Sequence, residues 1–312
     1  MTAVGVVVPN LNGARFLPTC LDALRRQTLQ PAEVVVVDDG SVDGSLDLLA
    51  RDYPEVKVIA HGTTRGVARA FNDGIRATTS PTVVLLNNDT EAEPDWLAEL
   101  TRPLDDDAEV AMVASKLLLF DRRDVLHSAG DFYGRDGMPG NRGVWQTDRG
   151  QFDRELDPFG ACGGAAAYRR ALFDRIGFFD EGMGSYCEDV DLNVRARLAG
   201  FRCRFAPGAR VYHRLSATGG GVTSSYFVGR NVLWVLAQDV PSALLGKYWP
   251  KIVARQLSIA FEALRHWREP AARARLRGQI DALRGLSAPL AKRGEIQRRR
   301  RVSIAALDAI LS

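Results

Sequence analysis

This 312-residue chain is poor in cysteine, has no long apolar run and carries none of the usual glycine fingerprints for phosphate. Cys20, Cys162, Cys187 and Cys203 include no CxxC pair, which argues against a structural zinc site and supplies no disulfide framework. The best apolar stretch, Val232 to Ala237, is six residues long. A bilayer span needs ~18. The opening MTAVGVVVPN has neither a basic segment nor a long apolar core, so no signal peptide is expected. A cytoplasmic chain with reduced thiols is the expectation. No GxGxxG follows the first apolar run and no GxxxxGK(S/T) occurs, which removes the dinucleotide and P-loop readings.

What is present is ordinary in amount and uneven in placement. Hydrophobic content of 46% and charged content of 25% suit a globular protein with a real core. The length suits one large α/β domain with an appendage. Net charge is +3, but from Lys251 onward there are 14 Lys and Arg against 5 Asp and Glu. The first 250 residues therefore carry −6. A basic tail on an acidic body points to an anionic partner, such as a membrane surface or a phosphate-bearing substrate, or else to a solvated helical face. No nucleic-acid partner is expected.

Residues 4–9 (VGVVVP) and 33–39 (EVVVVDD) read as buried parallel strands. Between them Phe16, Leu17, Cys20, Leu21 and Leu24 share one helix face. The pattern repeats with a strand over 56–60, a helix over 67–77 and a strand over 82–86, and Glu93-Pro94-Asp95-Trp96 opens another helix. Such alternation predicts a mostly parallel sheet with helices on both faces. Ligands in such sheets sit beyond the carboxyl ends of the strands. Those ends carry Pro9-Asn10, Asp38-Asp39-Gly40-Ser41 and Asn87-Asn88-Asp89, which should converge on one crevice. Residues 121–158 are rich in Gly, Asp and Arg and read as a long surface excursion. Helices follow over 172–176 and 189–198, then a strand over 202–205. From about 222 to 312 the chain reads as a helical, basic region set apart from a catalytic part over 1–221. Val253, Leu257, Ala260, Phe261 and Leu264 make one apolar stripe there, and three of the five tryptophans lie in this region.

Three groups could do chemistry. Asp89 ends an apolar strand among small polar residues, where a carboxylate can hold Mg2+ or Mn2+ or merely cap a helix. Glu188, Asp189 and Asp191 fall within four residues at the start of a helix whose Val190, Val194 and Leu198 share one side. Dipole stabilisation explains one such acid better than three, and a carboxylate in a cleft is a usual general base for an alcohol. His213 ends a strand-like segment before the glycine-rich stretch 216–221, whereas His61, His127 and His266 have no comparable setting.

In order and spacing these segments resemble the GT-A glycosyltransferases of family 2, and most of all its bacterial rhamnosyl- and galactofuranosyl-transferases of cell-wall and O-antigen assembly. The matching segments are VVVPNLNG (7–13, with the preceding valine), VVVVDDGSVDGS (34–45), RGVARAFNDGI (65–75), LLNNDT (85–90), GACGGAAAYRRALFDRIGFFDE (160–181), YCEDVDLNVRARLAGFRCRFAPGARVYH (186–213) and FVGRN (227–231). The resemblance implies a GT-A fold and an inverting, metal-dependent transfer of a sugar from a nucleoside-diphosphate donor to an acceptor hydroxyl. Pro9 and Asp39, with Asp38 beside it, would hold the nucleobase and ribose, Arg65 and Asn72 would lie along the nucleotide-diphosphate, Asn10 and Asn88 would also bind the nucleotide-sugar, and Gly163 and Gly164 would sit near the sugar and acceptor. Asp89 would match the last position of the family's DxD metal motif and His213 its further ligand. Asp189 would be the base, with Glu188 beside it. The first DxD position is Asn87 here, which removes one formal charge from the site.

The resemblance further implies a dTDP- or UDP-linked donor, with dTDP-rhamnose as first expectation. The acceptor would be a glycan or a polyprenyl-diphosphate-linked sugar; the Trp and Leu faces and Arg-rich segments of the tail point to contact with the inner face of the cell membrane, or else to a helical dimerisation or packing element. Rival readings are a nucleotidyltransferase, for which NLNGARF offers no activation loop, and a non-catalytic sugar-nucleotide binder, which would not need the acids at 188–191. A glycoside hydrolase would use two carboxylates without a metal and nucleotide crevice.

Overall fold

The computed structural model describes residues 3–215 and 220–312. Val4–Asn10 (β1), Glu33–Asp38 (β2), Lys57–Ala60 (β3) and Thr82–Leu86 (β4) form a parallel half-sheet in the order β3-β2-β1-β4. β1, β2 and β4 are buried nearly throughout, as strands covered on both faces must be. Leu17–Arg25 (α1) and Ser45–Asp52 (α2) deliver Leu17, Leu21, Leu24 and Leu49 to the core on one face. Val67–Ala77 (α3) delivers Ala70, Phe71 and Ile75 to the core on the other. The register sets Pro9 beside Val37 and Asn10 beside Asp38, so the polar strand ends lie level.

The alternation then stops. Thr90–Ala92 (β5), Trp96–Asp106 (α4), Val110–Leu119 (β6), Leu126–Ser128 (β7), Asp131–Tyr133 (β8), Pro139–Asn141 (β9) and Ala165–Arg169 (β10) precede Arg170–Ile176 (α5), Glu188–Leu198 (α6) and Arg202–His213 (β11). β10 runs antiparallel between β4 and β6, β11 runs parallel to β6, and β5 closes the edge antiparallel to β11. The nine-stranded sheet is therefore mixed, with β1, β2, β3, β4, β6 and β11 running one way and β5, β7 and β10 against them.

Residues 121–158 are not a bare surface excursion. β7 pairs with β6 and β8 with β9, and Leu126, His127, Ser128, Ala129 and Asp131 are buried. The buried Lys116 of β6 sits 3.1 Å from Asp148 and 2.7 Å from Asp153, pinning the return of the segment. The charged residues that make this stretch look loop-like are partly spent on such internal contacts.

α6 also departs from expectation. Val194 and Leu198 do lie in one apolar cluster with Val190 against it, yet Leu192 and Ala196 are buried in the opposite one. The helix is a central element because Gly221–Gln238 (α7) packs over its outer side. Val232, Val235 and Leu236 of α7 share a core with Met183, Cys187, Val194 and Leu198. Ser242–Arg265 (α8), Pro270–Arg284 (α9), Ser287–Arg298 (α10) and Ile304–Ala309 (α11) complete the helical region. No helix among the described residues is long and apolar enough to cross a membrane.

Candidate active site

The polar strand ends do meet. Asn10 donates to Asp38 at 2.7 Å and to Ser41 Oγ at 3.2 Å, and its side-chain Oδ1 accepts from Asn88 Nδ2 at 2.6 Å. Asp38 also accepts the Ser41 amide at 2.9 Å. Asp39 accepts the amides of Arg65 and Gly66 (2.8–3.0 Å) and faces His61 Nδ1 at 2.8 Å. That ring's Nε2 lies 3.1 Å from Asp73, so His61, passed over in the sequence, bridges two acids at the crevice wall. Asp39 thus shapes the 61–66 loop, while the Arg65 side chain stays exposed. Pro9 is half-buried at the end of β1. Asn72 is otherwise engaged. Its amide donates to Phe179 O and Glu181 at 2.9 Å, and its oxygen accepts the Phe179 amide at 2.9 Å. It anchors α3 to the segment before α6.

Asp89 and His213 are brought together by the edge of the sheet, where β5 puts Thr90 opposite His213. His213 Nε2 lies 3.1 Å from Asp89 Oδ1. Both residues are buried, and Asp89 Oδ1 takes part in no hydrogen bond. A buried carboxylate oxygen left unsatisfied next to an imidazole nitrogen is a donor set that suits a divalent cation. The other imidazole nitrogen, Nδ1, is 3.0 Å from His127 Nδ1. Burial, and then the neighbouring His213, push His127 down to about 3. Most of the glycine-rich stretch after His213, residues 216–219, lies outside the described residues.

The three acids at the start of α6 have three fates. Asp191 is fully buried, paired with Arg195 one turn on and accepting from Gln238 of α7 at 2.6 Å. Glu188 is buried with Oε2 unpartnered, and burial, then the charge of Asp189, raise it well above the carboxylate range. Asp189 is raised too, by burial, but accepts the amides of Gly163 at 2.9 Å and Val190 at 2.8 Å. Those donors favour its ionised form over that of its neighbours. Asp131, unnoticed in the sequence, is pushed up to about 8 by burial and then by Asp189. It accepts from Asn141 at 2.7 Å and Ser128 at 3.1 Å. Ligand atoms of Asp131, Cys162 and Asp189 all lie within 4.8 Å of one another. Two acids and a burial-raised thiol there read better as a proton-sharing carboxyl pair than as a seat for an oxygen-preferring cation.

The Gly163-Gly164 segment joins the two clusters. Gly163 donates to Asp189, and the Gly164 carbonyl accepts the Asn87 amide at 2.9 Å. A Cβ on Gly164 would stand 3.4 Å from the side-chain Nδ2 of Asn87 and 3.7 Å from the His213 ring. Tyr186 feels the charges of both Glu188 and Asp89, after burial, in its raised phenol. Tyr186 and Cys187, the two residues before α6, both hold φ of 64°, a strained left-handed conformation for side chains of this size. Asn231 of α7 clamps that turn by donating to the carbonyls of Met183, Ser185 and Tyr186 at 3.0, 3.0 and 2.6 Å.

Known proteins resemble this chain in sequence and in fold. The sequence profile of "Glycosyl transferase family 2" matches residues 5–177. A "PGL/p-HBAD biosynthesis glycosyltransferase" of Mycobacterium bovis (strain BCG / Pasteur 1173P2) is 29% identical over 265 residues, 81% of this chain and 93% of that protein. A "Pre-mycofactocin glycosyltransferase" of Mycobacterium tuberculosis (strain CDC 1551 / Oshkosh) is 31% identical over 225 residues, 67% of this chain and 42% of its own length. Among solved structures, GalNAc-T7 with UDP, GalNAc and Mn2+ superposes with a TM-score of 0.62 at 19% identity, over 76% of this chain and 48% of that one. The mannosyltransferase PcManGT from Pyrobaculum calidifontis, in complex with GDP-Man and Mn2+, gives 0.57 at 20% identity, over 96% and 84%. The fold is the GT-A fold of these neighbours.

Proposed function

The chain belongs to glycosyl transferase family 2, and from that premise we propose that it is an inverting, metal-dependent enzyme that moves a sugar from a nucleoside diphosphate to an acceptor hydroxyl. The observation that carries this reading is the Gly163-Gly164 segment, which contacts Asp189 on one side and the Asn87–Asp89 loop on the other. Asp189, its ionised form supported by two backbone amides, takes the proton from the acceptor hydroxyl as that oxygen attacks the anomeric carbon. One displacement with one base inverts the anomeric centre. A divalent cation, Mg2+ or Mn2+, held by Asp89 and His213 would supply positive charge against the departing diphosphate. Asn10, Asp38, Asp39 and Asn88 line the nucleoside end, and Glu188, its carboxyl raised by burial and by the charge of Asp189, stands beside the base.

The donor we favour is dTDP-rhamnose, followed by UDP-galactofuranose and UDP-N-acetylhexosamine. Release of nucleoside diphosphate from a panel of these and GDP-mannose, with and without Mn2+, tests both the class and the metal. No release from any donor with any acceptor glycan would defeat the proposal, and release unaffected by chelation would remove the metal.

The acceptor we favour is lipid-linked, met at the cytoplasmic face of a membrane. What supports a membrane contact is one face of α8 and its end. Trp249, Val253, Leu257, Phe261, Leu264 and Trp267 recur every three or four residues and are 45–64% exposed, with Lys247, Lys251 and Arg265 on the adjoining flank. Apolar side chains flanked by cations suit an anionic bilayer surface, and the same positive charge disfavours packing against a second copy. Flotation with anionic liposomes should recover the native chain, and Leu257→Glu with Phe261→Glu should not float. Equal behaviour of the two proteins, or a dimer in solution that covers this face, would overturn the membrane contact and leave the catalytic reading standing.

A further inference from the structure

We propose that His127 is a positioning residue for His213, fixing the imidazole tautomer in which Nε2 is free to share a divalent cation with Asp89. The inference rests on the metal reading above. β7 and β11 flank β6, which brings the two rings together with centroids 4.9 Å apart. The Nδ1 atoms face each other at 3.0 Å, so a single proton lies between them. On the far side of the ring, His213 Nε2 faces Asp89 at 3.1 Å. For Nε2 to offer its lone pair to a cation, the ring proton of His213 must sit on Nδ1, and it must have an acceptor in a buried place. Nδ1 of His127 is the acceptor the fold provides. This requires the proton of His127 to sit on its own Nε2. Partners of this kind, which hold the remote nitrogen of a ligating histidine, typically set metal affinity by about 10–100-fold.

Three variants of the full chain separate this role from packing. The probe is Mn2+ in the presence of saturating UDP, dTDP or GDP, whichever best protects the chain from thermal unfolding, with free Mn2+ read by electron paramagnetic resonance. His127→Leu removes the acceptor and should weaken Mn2+ binding by about 10–100-fold. His127→Asn places Oδ1 where Nδ1 stood and should recover most of the affinity. His213→Ala, which removes the ligand itself, should fall at least as low as His127→Leu. In the metal-free wild-type protein, nitrogen-15 spectra of the histidine rings should report His213 protonated at Nδ1. That measurement decides the matter even where the leucine variant fails to fold. Wild-type affinity in His127→Leu, an asparagine variant as weak as the leucine one, or His213 protonated at Nε2 would each overturn the role of His127. A wild-type chain that binds no Mn2+ would instead defeat the metal reading on which the role depends.

Discussion

The backbone amide of Gly163 donates to the Asp189 carboxylate at 2.9 Å, tying the loop that enters β10 to the first turn of α6. A Cβ on Gly163 would come within 3.3 Å of the Asp189 Cβ, so the loop lies directly against the acid. Asp189 is therefore held in place by the segment that also reaches the Asn87–Asp89 loop, and it keeps a hydrogen-bond donor that Glu188 Oε2 lacks.

Asp189→Asn retains the shape of the side chain and removes its basicity. Turnover should fall by at least about 10²-fold, within the about 10²–10⁴-fold that general-base assistance is worth. Donor affinity by calorimetry should be unchanged, and near-normal turnover would strip Asp189 of its role.

Asp131→Asn should alter how stability depends on pH. The folded protein raises this carboxyl from 3.8 to about 8, by burial first and then by Asp189, so it binds the proton more tightly than the unfolded chain does. Its contribution is complete below about pH 4 and is lost as pH climbs to 8 and beyond. Urea unfolding at intervals across that window should show the wild type losing stability relative to the variant, by no more than about 1.4 kcal/mol per pH unit. Parallel curves for the two proteins would refute it.

Gly13→Ala tests the crevice floor. A Cβ there would lie 2.1 Å from Asn88 Nδ2 and 2.2 Å from Asn10 Oδ1, so the Asn10–Asn88 hydrogen bond must give way. The expected cost is about 1–3 kcal/mol in chemical denaturation, with weaker nucleotide binding. A variant as stable as the wild type would mean the two asparagines can part freely.

Asn231→Ala removes the donor shared by three carbonyls around the strained Tyr186-Cys187 turn. Leaving those carbonyls without a partner should cost about 1–3 kcal/mol. As the turn relaxes, kcat should drop more than donor affinity, because Asn10, Asp38 and Asn88 at the nucleoside end are bonded to one another rather than to this turn. A loss of stability with kcat intact would make Asn231 a packing residue only.

Strands β1, β2 and β4 and the helix over 67–77 were legible because burial on both faces forces unbroken β-branched runs and a 3.6-residue apolar period. β10 escaped notice because Ala165–Tyr168 is three alanines and a tyrosine, with no strand-like run, and its antiparallel course is set by its neighbours. The meeting of Asp89 with His213 depends on the pairing of β5 with β11 across 123 residues, which local pattern does not encode. His127 and Asp131 were hidden in a stretch whose composition resembles a loop. The one usable signal was LHSAGD, a histidine and an acid among small residues that leave them room to be buried.

Because α6 lies between two cores, and α7 completes one of them, the carboxylate of Asp189 is supported from both ends of the gene. A chain cut ahead of residue 221 would turn Val194 and Leu198 toward water and deprive Asp191 of Gln238. Grafting the nucleotide-facing half onto another scaffold to trade one donor for another would have to bring α7 along.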